Sequence, residues 1–259
     1  MNTLKLMSLN PLTKAASEAQ EGQGGIVHPY GKSHVEFLDA SQDNGLMVMA
    51  PLAPFDPAAF LADPDWEQHV RNLVEEIGDH PALLAFYVGS DWGLEAPTQS
   101  ALLQRVNEVF DIVHEMSSVP VSYCVSNLPD NATWYAENMK WDFICANAGW
   151  EGPEALTTFV GSADTNGTWA AVAKENGWPI VIGEMGRADL NGTFTEENPN
   201  WFNDLWKSVL DANTEGVVGA FFYEYNDEPY HPDSWKRSLG ATYFTVAVDG
   251  LNNSTQENV

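Results

Sequence analysis

The chain is short of cations. Eleven Lys and Arg stand against 37 Asp and Glu, a formal charge of −26 over 259 residues. Nucleic acid and anionic membrane surfaces are therefore poor partners, because both need Lys or Arg to neutralise phosphate. The acidic residues are scattered rather than run together. They describe a solvated surface suited to salty or extracellular surroundings, not a disordered acidic tail. Cysteine is scarce too, with only Cys124 and Cys145. Two cysteines make no disulfide framework and nothing near them has metal spacing, so buried free thiols are the expectation. The six histidines, His28, His34, His69, His80, His114 and His231, show no ligand spacing, and neither a metal nor a cofactor is expected. No apolar run approaches the roughly 18 residues of a membrane span. The opening MNTLKLMSLNPLTKAASEAQEG has no apolar h-region and no small-residue cleavage site, so it is not read as a signal peptide. GxGxxG, Walker and Gly-x-Ser-x-Gly patterns are missing, which argues against nucleotide binding and against an α/β-hydrolase.

What the chain has is a series of short apolar runs: TLKLMSL (3–9), LMVMAPL (46–52), LLAFYVG (83–89), VPVSYCV (119–125), WDFICAN (141–147), PIVIGEM (179–185) and GVVGAFFYEY (216–225). Runs of this length, rich in β-branched and aromatic residues, suit strands buried on both faces. Helical patterning fills the intervals. HVEFLDASQDNG ends at Gly45, a C-cap candidate. DWEQHVRNLVEEIGDHP sets Val70, Leu73, Val74 and Ile77 on one face, and ALLQRVNEVFDIVHEM and WFNDLWKSVLDAN repeat the pattern, with Trp206 expected in the core. The spacing of about 35 residues per strand–helix unit is close to the roughly 31 of an eight-fold barrel. This predicts an α/β protein with a parallel sheet, an open doubly wound sheet being the alternative. Counted as a (β/α)8 TIM barrel with LLAFYVG as fourth strand, residues 1–259 form a single domain lacking the first strand and the last helix. Residues 10–33 are then a long loop at the catalytic end, and 226–259 a C-terminal loop after the last strand. The gap between first and last strands exposes two edges, to be covered by a missing segment or a partner chain.

Barrel active sites gather at the C-terminal ends of strands. Ser90 and Asp91, Ser126 and Asn127, Asn147 and Trp150, Glu184, and Tyr223, Glu224 and Tyr225 stand there in this sequence. Two carboxylates facing across one mouth are what glycoside cleavage needs: one protonates the leaving oxygen, the other attacks the sugar carbon or activates water. Glu184, directly after PIVIG, is the sharper signal, since an acid there is paired (Arg187 is the nearest cation in sequence) or functional. Asp91 has a rival reading as the cap of the following helix, and Glu95, one turn on, is an alternative acid. Aromatic residues crowd the same ends: Trp92, Trp150, Trp169, Tyr223, Tyr225, Tyr230 and Trp235. Sugar faces stack on such rings, and Trp92 and Trp150 are expected to line the mouth. Asn-x-Ser/Thr sites at Asn131, Asn166, Asn191, Asn252 and Asn253 point to an extracellular or secretory location.

Taken in order, NTLKLMSLNP, FLDASQDNGLMVMAPL, HPALLAFYVGSD, VPVSYCVSN, WDFICANAGWEG, PIVIGEMG, GVVGAFFYEYNDEP and SLGATYFTVAVDG resemble the catalytic domain of clan-A retaining glycoside hydrolases. The resemblance is closest to the β-1,3-glucanosyltransferases, with family 2 and family 5 glycosidases behind. It covers nearly the whole chain, minus the family's first strand. It implies a glycoside hydrolase or transglycosylase acting on a β-linked glucan-type polysaccharide, with Glu184 as nucleophile and Asp91 in the place of the acid/base Glu. It also implies sugar contacts from Ser90, Trp92, Asn127, Asn147, Trp150, Tyr223 and Tyr225. Two positions depart from the pattern. Asp for Glu shortens the donor arm by roughly 1.5 Å, one C–C bond, and Ser90 replaces an Asn that holds a sugar hydroxyl. The alternative these departures raise is a non-catalytic glycan-binding or structural subunit.

Overall fold

A computed structural model describes residues 2–6, 9, 33–126, 132–148, 153–186, 201–222, 242–246 and 254–258. The chain divides into two compact units, Met1–Cys145 and Ala146–Val259. The first holds β1 (Asn2–Lys5), α1 (His34–Asp43), β2 (Leu46–Pro51), α2 (Pro57–Ala62), α3 (Trp66–Ile77), β3 (Leu83–Ser90), α4 (Ser100–Met116), β4 (Val121–Val125) and α5 (Ala132–Asn138). The division falls inside β5 (Ile144–Asn147). The second unit continues with α6 (Pro153–Val160), α7 (Trp169–Asn176), β6 (Ile180–Met185), α8 (Trp201–Asp211), β7 (Val217–Phe222), and β8 (Thr242–Val246) and β9 (Ser254–Asn258). The strand order is β1-β2-β3-β4-β5-β6-β7. The fold is α/β of the (β/α)8 TIM-barrel type, with seven parallel strands among the described residues where a complete barrel has eight.

The local chemistry explains the elements. Ser33 caps α1 by accepting the Val35 N–H, and Gly45 takes the left-handed φ of 68° that ends the helix and turns the chain into β2. In α3 the apolar stripe buries Val70, Val74 and Ile77, while Leu73 is half-buried. In α4 it buries Leu102, Val106, Val109, Phe110, Ile112 and Val113. In the second unit Thr168 caps α7 by accepting the Ala171 N–H, and Gly177, at a φ of 71°, closes it. Among the described residues no helix is long and apolar enough to cross a membrane.

Several expectations are corrected. Cys124 and Cys145 are not free thiols: they are bonded to each other, with Cα atoms 4.5 Å apart. The two strands that carry them run side by side in the order, which brings residues 21 apart in sequence into bonding range. Trp206 is not core: it is 41% exposed on α8. Trp169 is no strand-end ring: it begins α7 and is fully buried, stacked on Phe159 at 5.5 Å. Two strands, β8 and β9, pair antiparallel within the segment read as a C-terminal loop. Residues 10–32 of the expected catalytic-end loop lie outside the described residues.

Candidate active site

In the first unit the site begins where β3 ends. The Trp92 ring leaves no room for a side chain at Gly89: a Cβ there would stand 2.4 to 2.6 Å from three of its ring atoms. The indole folds back over the strand it follows, and its Nε1–H donates to the Phe55 carbonyl at 3.0 Å. Trp92, expected to line the mouth, is thus only 8% exposed. It shapes the strand end more than it offers a face. Ser90 is buried opposite Cys124, and the register between β3 and β4 shifts between Tyr87 and Ser90. Such irregularities re-aim side chains at the rims of barrels.

Asp91 follows, exposed, with a φ of 57°. It is the one non-glycine residue with positive φ among the described residues. Asp tolerates this region better than most residues, yet the conformation still costs about 1 kcal/mol and needs support. Two hydrogen bonds supply it. The Asp91 N–H donates to the Cys124 carbonyl at 3.0 Å. The Trp92 N–H donates to the Tyr123 hydroxyl oxygen at 2.5 Å. Gly93 takes a second left-handed φ, 61°. Asp91 is not the N-cap residue of either helix that follows: the 3-10 turn Pro97–Gln99 has Ala96 at its N-cap, and α4 has Gln99.

Beneath the turn lies a ladder of rings. Trp66 meets Phe60 edge-on at 6.1 Å, Phe60 meets Trp92 at 5.9 Å, and Trp92 meets Tyr123 at 6.0 Å. Tyr123 stacks on Tyr135 at 6.5 Å, and Tyr135 on Trp141 at 5.8 Å. Arg105 caps one end. Its guanidinium lies 4.9 Å from the Trp66 ring centroid, and Nη1 donates to the carbonyls of Phe60 and Leu61 at 2.6 and 3.1 Å, satisfying the end of α2. Next to the Trp141 end the Tyr135 hydroxyl donates to Glu95 Oε2 at 2.5 Å. Burial pushes both phenols well above the ordinary tyrosine range. For Tyr123 the negative charges of Asp91 and Glu95 add to burial; for Tyr135 the hydrogen bond to Glu95 does. Both rings therefore stay protonated at any working pH. Tyr123 and Tyr135 are the site residues that sequence reasoning missed. Alternation along VSYCV reads as core, and nothing in the sequence aims a hydroxyl at the turn after Asp91.

In the second unit Asn147 ends β5, buried. Glu184 is the fifth of the six residues of β6, half-buried between buried Gly183 and Met185. The β6–β7 register shifts between Ile182 and Met185, so Glu184 too sits in an irregular stretch. Asn127, Trp150, Tyr223 and Tyr225, and with them Arg187, Glu224, Tyr230 and Trp235, lie outside the described residues.

No family model and no curated protein matches the chain. Solved structures do match it. The chain is similar to Saccharomyces cerevisiae Gas2p in complex with laminaripentaose, at a TM-score of 0.59 and 15% identity over 100% of this chain and 53% of that one. It is similar to a Faecalibacterium prausnitzii beta-glucuronidase at a TM-score of 0.54 and 15% identity, over 92% of this chain and 39% of that one. A glycosyl hydrolase family 2 member from Bacteroides cellulosilyticus gives 0.55 and 17% identity over 92% of this chain and 25% of its own. At this identity the likeness carries the fold. The chain spans about half or less of the length of each of these proteins.

Proposed function

We propose that the chain is a glycoside hydrolase or transglycosylase acting on a β-linked glucan-type polysaccharide, with Asp91 and Glu184 as its two carboxylates. Asp91 gives its proton to the glycosidic oxygen as that bond breaks, and a Glu184 oxygen bonds the anomeric carbon. Asp91, now a carboxylate, then takes a proton from water or from a sugar hydroxyl. That oxygen displaces Glu184 and gives hydrolysis or transfer. The observation that carries the reading is the turn after β3. Here an exposed acid is held in a left-handed conformation by the Cys124 carbonyl and the Tyr123 hydroxyl, and a strained, over-determined residue is characteristic of a working site. The same turn gives a shortened donor a fixed place to act from, and catalysis is sensitive to errors of about 1 Å. Ser90, Asn127, Asn147, Trp150, Tyr223 and Tyr225 are proposed to contact the sugar, and Trp92 to shape the site from beneath. The asparagine sequons fit a secretory location.

The test is product analysis by mass spectrometry, with β-1,3-, β-1,4- and β-1,6-linked oligosaccharides as substrates. Shortened or lengthened products are expected from the wild type, falling roughly 10³-fold or more in Glu184→Gln. Intact substrates across the panel, with the protein folded, would favour a glycan-binding subunit instead.

A further inference from the structure

The Asn-Gly-Thr run at 166–168 plays no part in the two-carboxylate scheme, and it has a definite setting in the second unit, between α6 and α7. The Thr168 N–H donates to the Thr165 carbonyl at 3.4 Å, which folds Thr165–Thr168 into a turn with Asn166 and Gly167 at its corner. Gly167 takes a φ of 82°, and a Cβ there would meet nothing within 4 Å. Asn166 is exposed, and among the described residues its side-chain amide makes no hydrogen bond. The corner therefore opens on water. Its foot is fixed: the Ala163 N–H donates to Glu215 Oε2 at 2.7 Å, two residues before β7 begins. Barrel active sites gather at the opposite, C-terminal ends of the strands.

We propose that Asn166 is a modification site, the acceptor of an N-linked oligosaccharide carried beside the start of β7 and away from the end of β6 where Glu184 stands. The assignment deepens the secretory location proposed above and is independent of the two carboxylates. In the transfer, Asn166 Nδ2 bonds the anomeric carbon of a lipid-linked oligosaccharide diphosphate. The bond from that carbon to the diphosphate oxygen breaks, and one amide proton leaves with the lipid diphosphate. A second observation points to the compartment. Cys124 and Cys145 are bonded to each other, and such bonds persist in secreted proteins and the secretory lumen but are rare in the cytosol. Thr168 sets the timing. Its hydroxyl completes the acceptor motif, yet in the folded chain it donates to the Ser162 carbonyl at 2.7 Å and accepts the Ala171 N–H at 3.1 Å, capping α7. The glycan is therefore added before α7 closes, and the folded turn then holds it out in water. The other sequon residues, Asn131, Asn191, Asn252 and Asn253, lie outside the described residues.

The experiment is peptide mapping of the full chain, sent into the secretory pathway of a eukaryotic host behind a cleavable leader and recovered from the medium and the secretory lumen. The same chain made in bacterial cytosol is the unmodified reference. After reduction, trypsin releases residues 141–174, in which Asn166 holds the sole sequon. An amidase that removes N-glycans, used in heavy-oxygen water, converts a glycosylated Asn to Asp bearing heavy oxygen. Spontaneous deamidation at Asn166–Gly167 before that treatment leaves ordinary Asp, so the two are told apart. Most of the 141–174 peptide is expected to carry the heavy-oxygen mark. Asn166→Gln and Thr168→Val should lose it, while Thr168→Ser keeps the hydroxyl and most of the mark. Thr168→Val also removes the α7 cap, so Asn166→Gln, on an exposed corner, is the variant that leaves the fold intact. A peptide that is unmodified, or that carries only ordinary Asp, overturns the proposal, and so does a mark that survives in Thr168→Val. The mapping needs no substrate, so it decides the Asn166 assignment whether or not any oligosaccharide is cleaved.

Discussion

Strands β3 and β7 begin from similar material, LLAFYVGS and VVGAFF, and end in different states. Every residue of β3 except Leu84 is buried. In β7 only Val217 is buried, and Val218 is 60% exposed and Phe222 36%. Beside β7, Leu210 on α8 is 58% exposed, and Trp206 stands 6.0 Å from Phe222, ring to ring. β3 pairs with β2 on one side and β4 on the other; β7 pairs with β6 and is last in the order. An apolar run therefore specifies a strand, but its neighbours decide whether that strand is core. Apolar side chains thus stand exposed on the last strand of the order and the helix beside it.

The largest effect expected at the well-covered end comes from the Cys124–Cys145 bond. It links β4 to β5 across 21 residues, a loop for which chain-entropy arguments give about 3 kcal/mol. Both sulfurs are buried, so the double variant Cys124→Ala/Cys145→Ala should lose roughly that much in urea unfolding, and reductant should bring the wild type down to the same midpoint. A wild-type midpoint that ignores reductant would mean the thiols are not paired.

Next in size is a contrast between two glycines, one in each strand. Gly89→Ala in β3 must push the Trp92 indole off its seat, with contacts of 2.4 to 2.6 Å to be relieved. A loss of about 2–3 kcal/mol is expected, the range of an overpacked core. Because that indole also sets the turn at Asp91, turnover should fall with stability. Gly219→Ala in β7 meets nothing within 4 Å. It should gain about 0.5 kcal/mol through the less flexible unfolded chain. Equal effects at the two positions, measured by thermal unfolding, would erase the distinction between covered and uncovered strand.

The same distinction marks how much of the molecule was legible in its sequence. Each of the seven parallel strands was found within a few residues, because period and β-branching are local properties. The α/β class followed from their spacing. The two cysteines fall on strands that the sequence already makes neighbours, yet free thiols are the wrong expectation, because bonding depends on the register that brings their Cα atoms to 4.5 Å, and composition does not record register. Trp206 was misread because helical periodicity identifies an apolar face without saying whether anything covers it. Asp91 and Glu184 were visible as acids after apolar runs. The turn that holds Asp91 was not, since a hydroxyl from Tyr123 and a carbonyl from Cys124 reach it across 31 and 33 residues, and such contacts have no short-range signature.

The smallest expected effect concerns acid. In the first unit Glu76 clamps α1 to α3: Oε1 accepts the His34 N–H at 2.9 Å and the Ser33 hydroxyl at 3.0 Å, and Oε2 lies 2.8 Å from His34 Nδ1. Partial burial raises the carboxyl pKa, but the bonds from His34 and Ser33 outweigh it and hold the pKa below the ordinary value of 4.5. The sign follows from linkage. The clamp contributes its full stability above that ordinary value, where the unfolded chain is ionised as well, and loses it as pH falls through the lower folded value. In the second unit the pair Lys174–Asp164 is widely exposed at 65% and 89%, and such pairs contribute little. Glu76→Gln should therefore cost about 1 kcal/mol near neutral pH and flatten the acid limb of the stability curve, while Asp164→Asn leaves both unchanged. An acid limb that persists in Glu76→Gln would assign the sensitivity to other carboxylates among the 37 acidic residues of the chain.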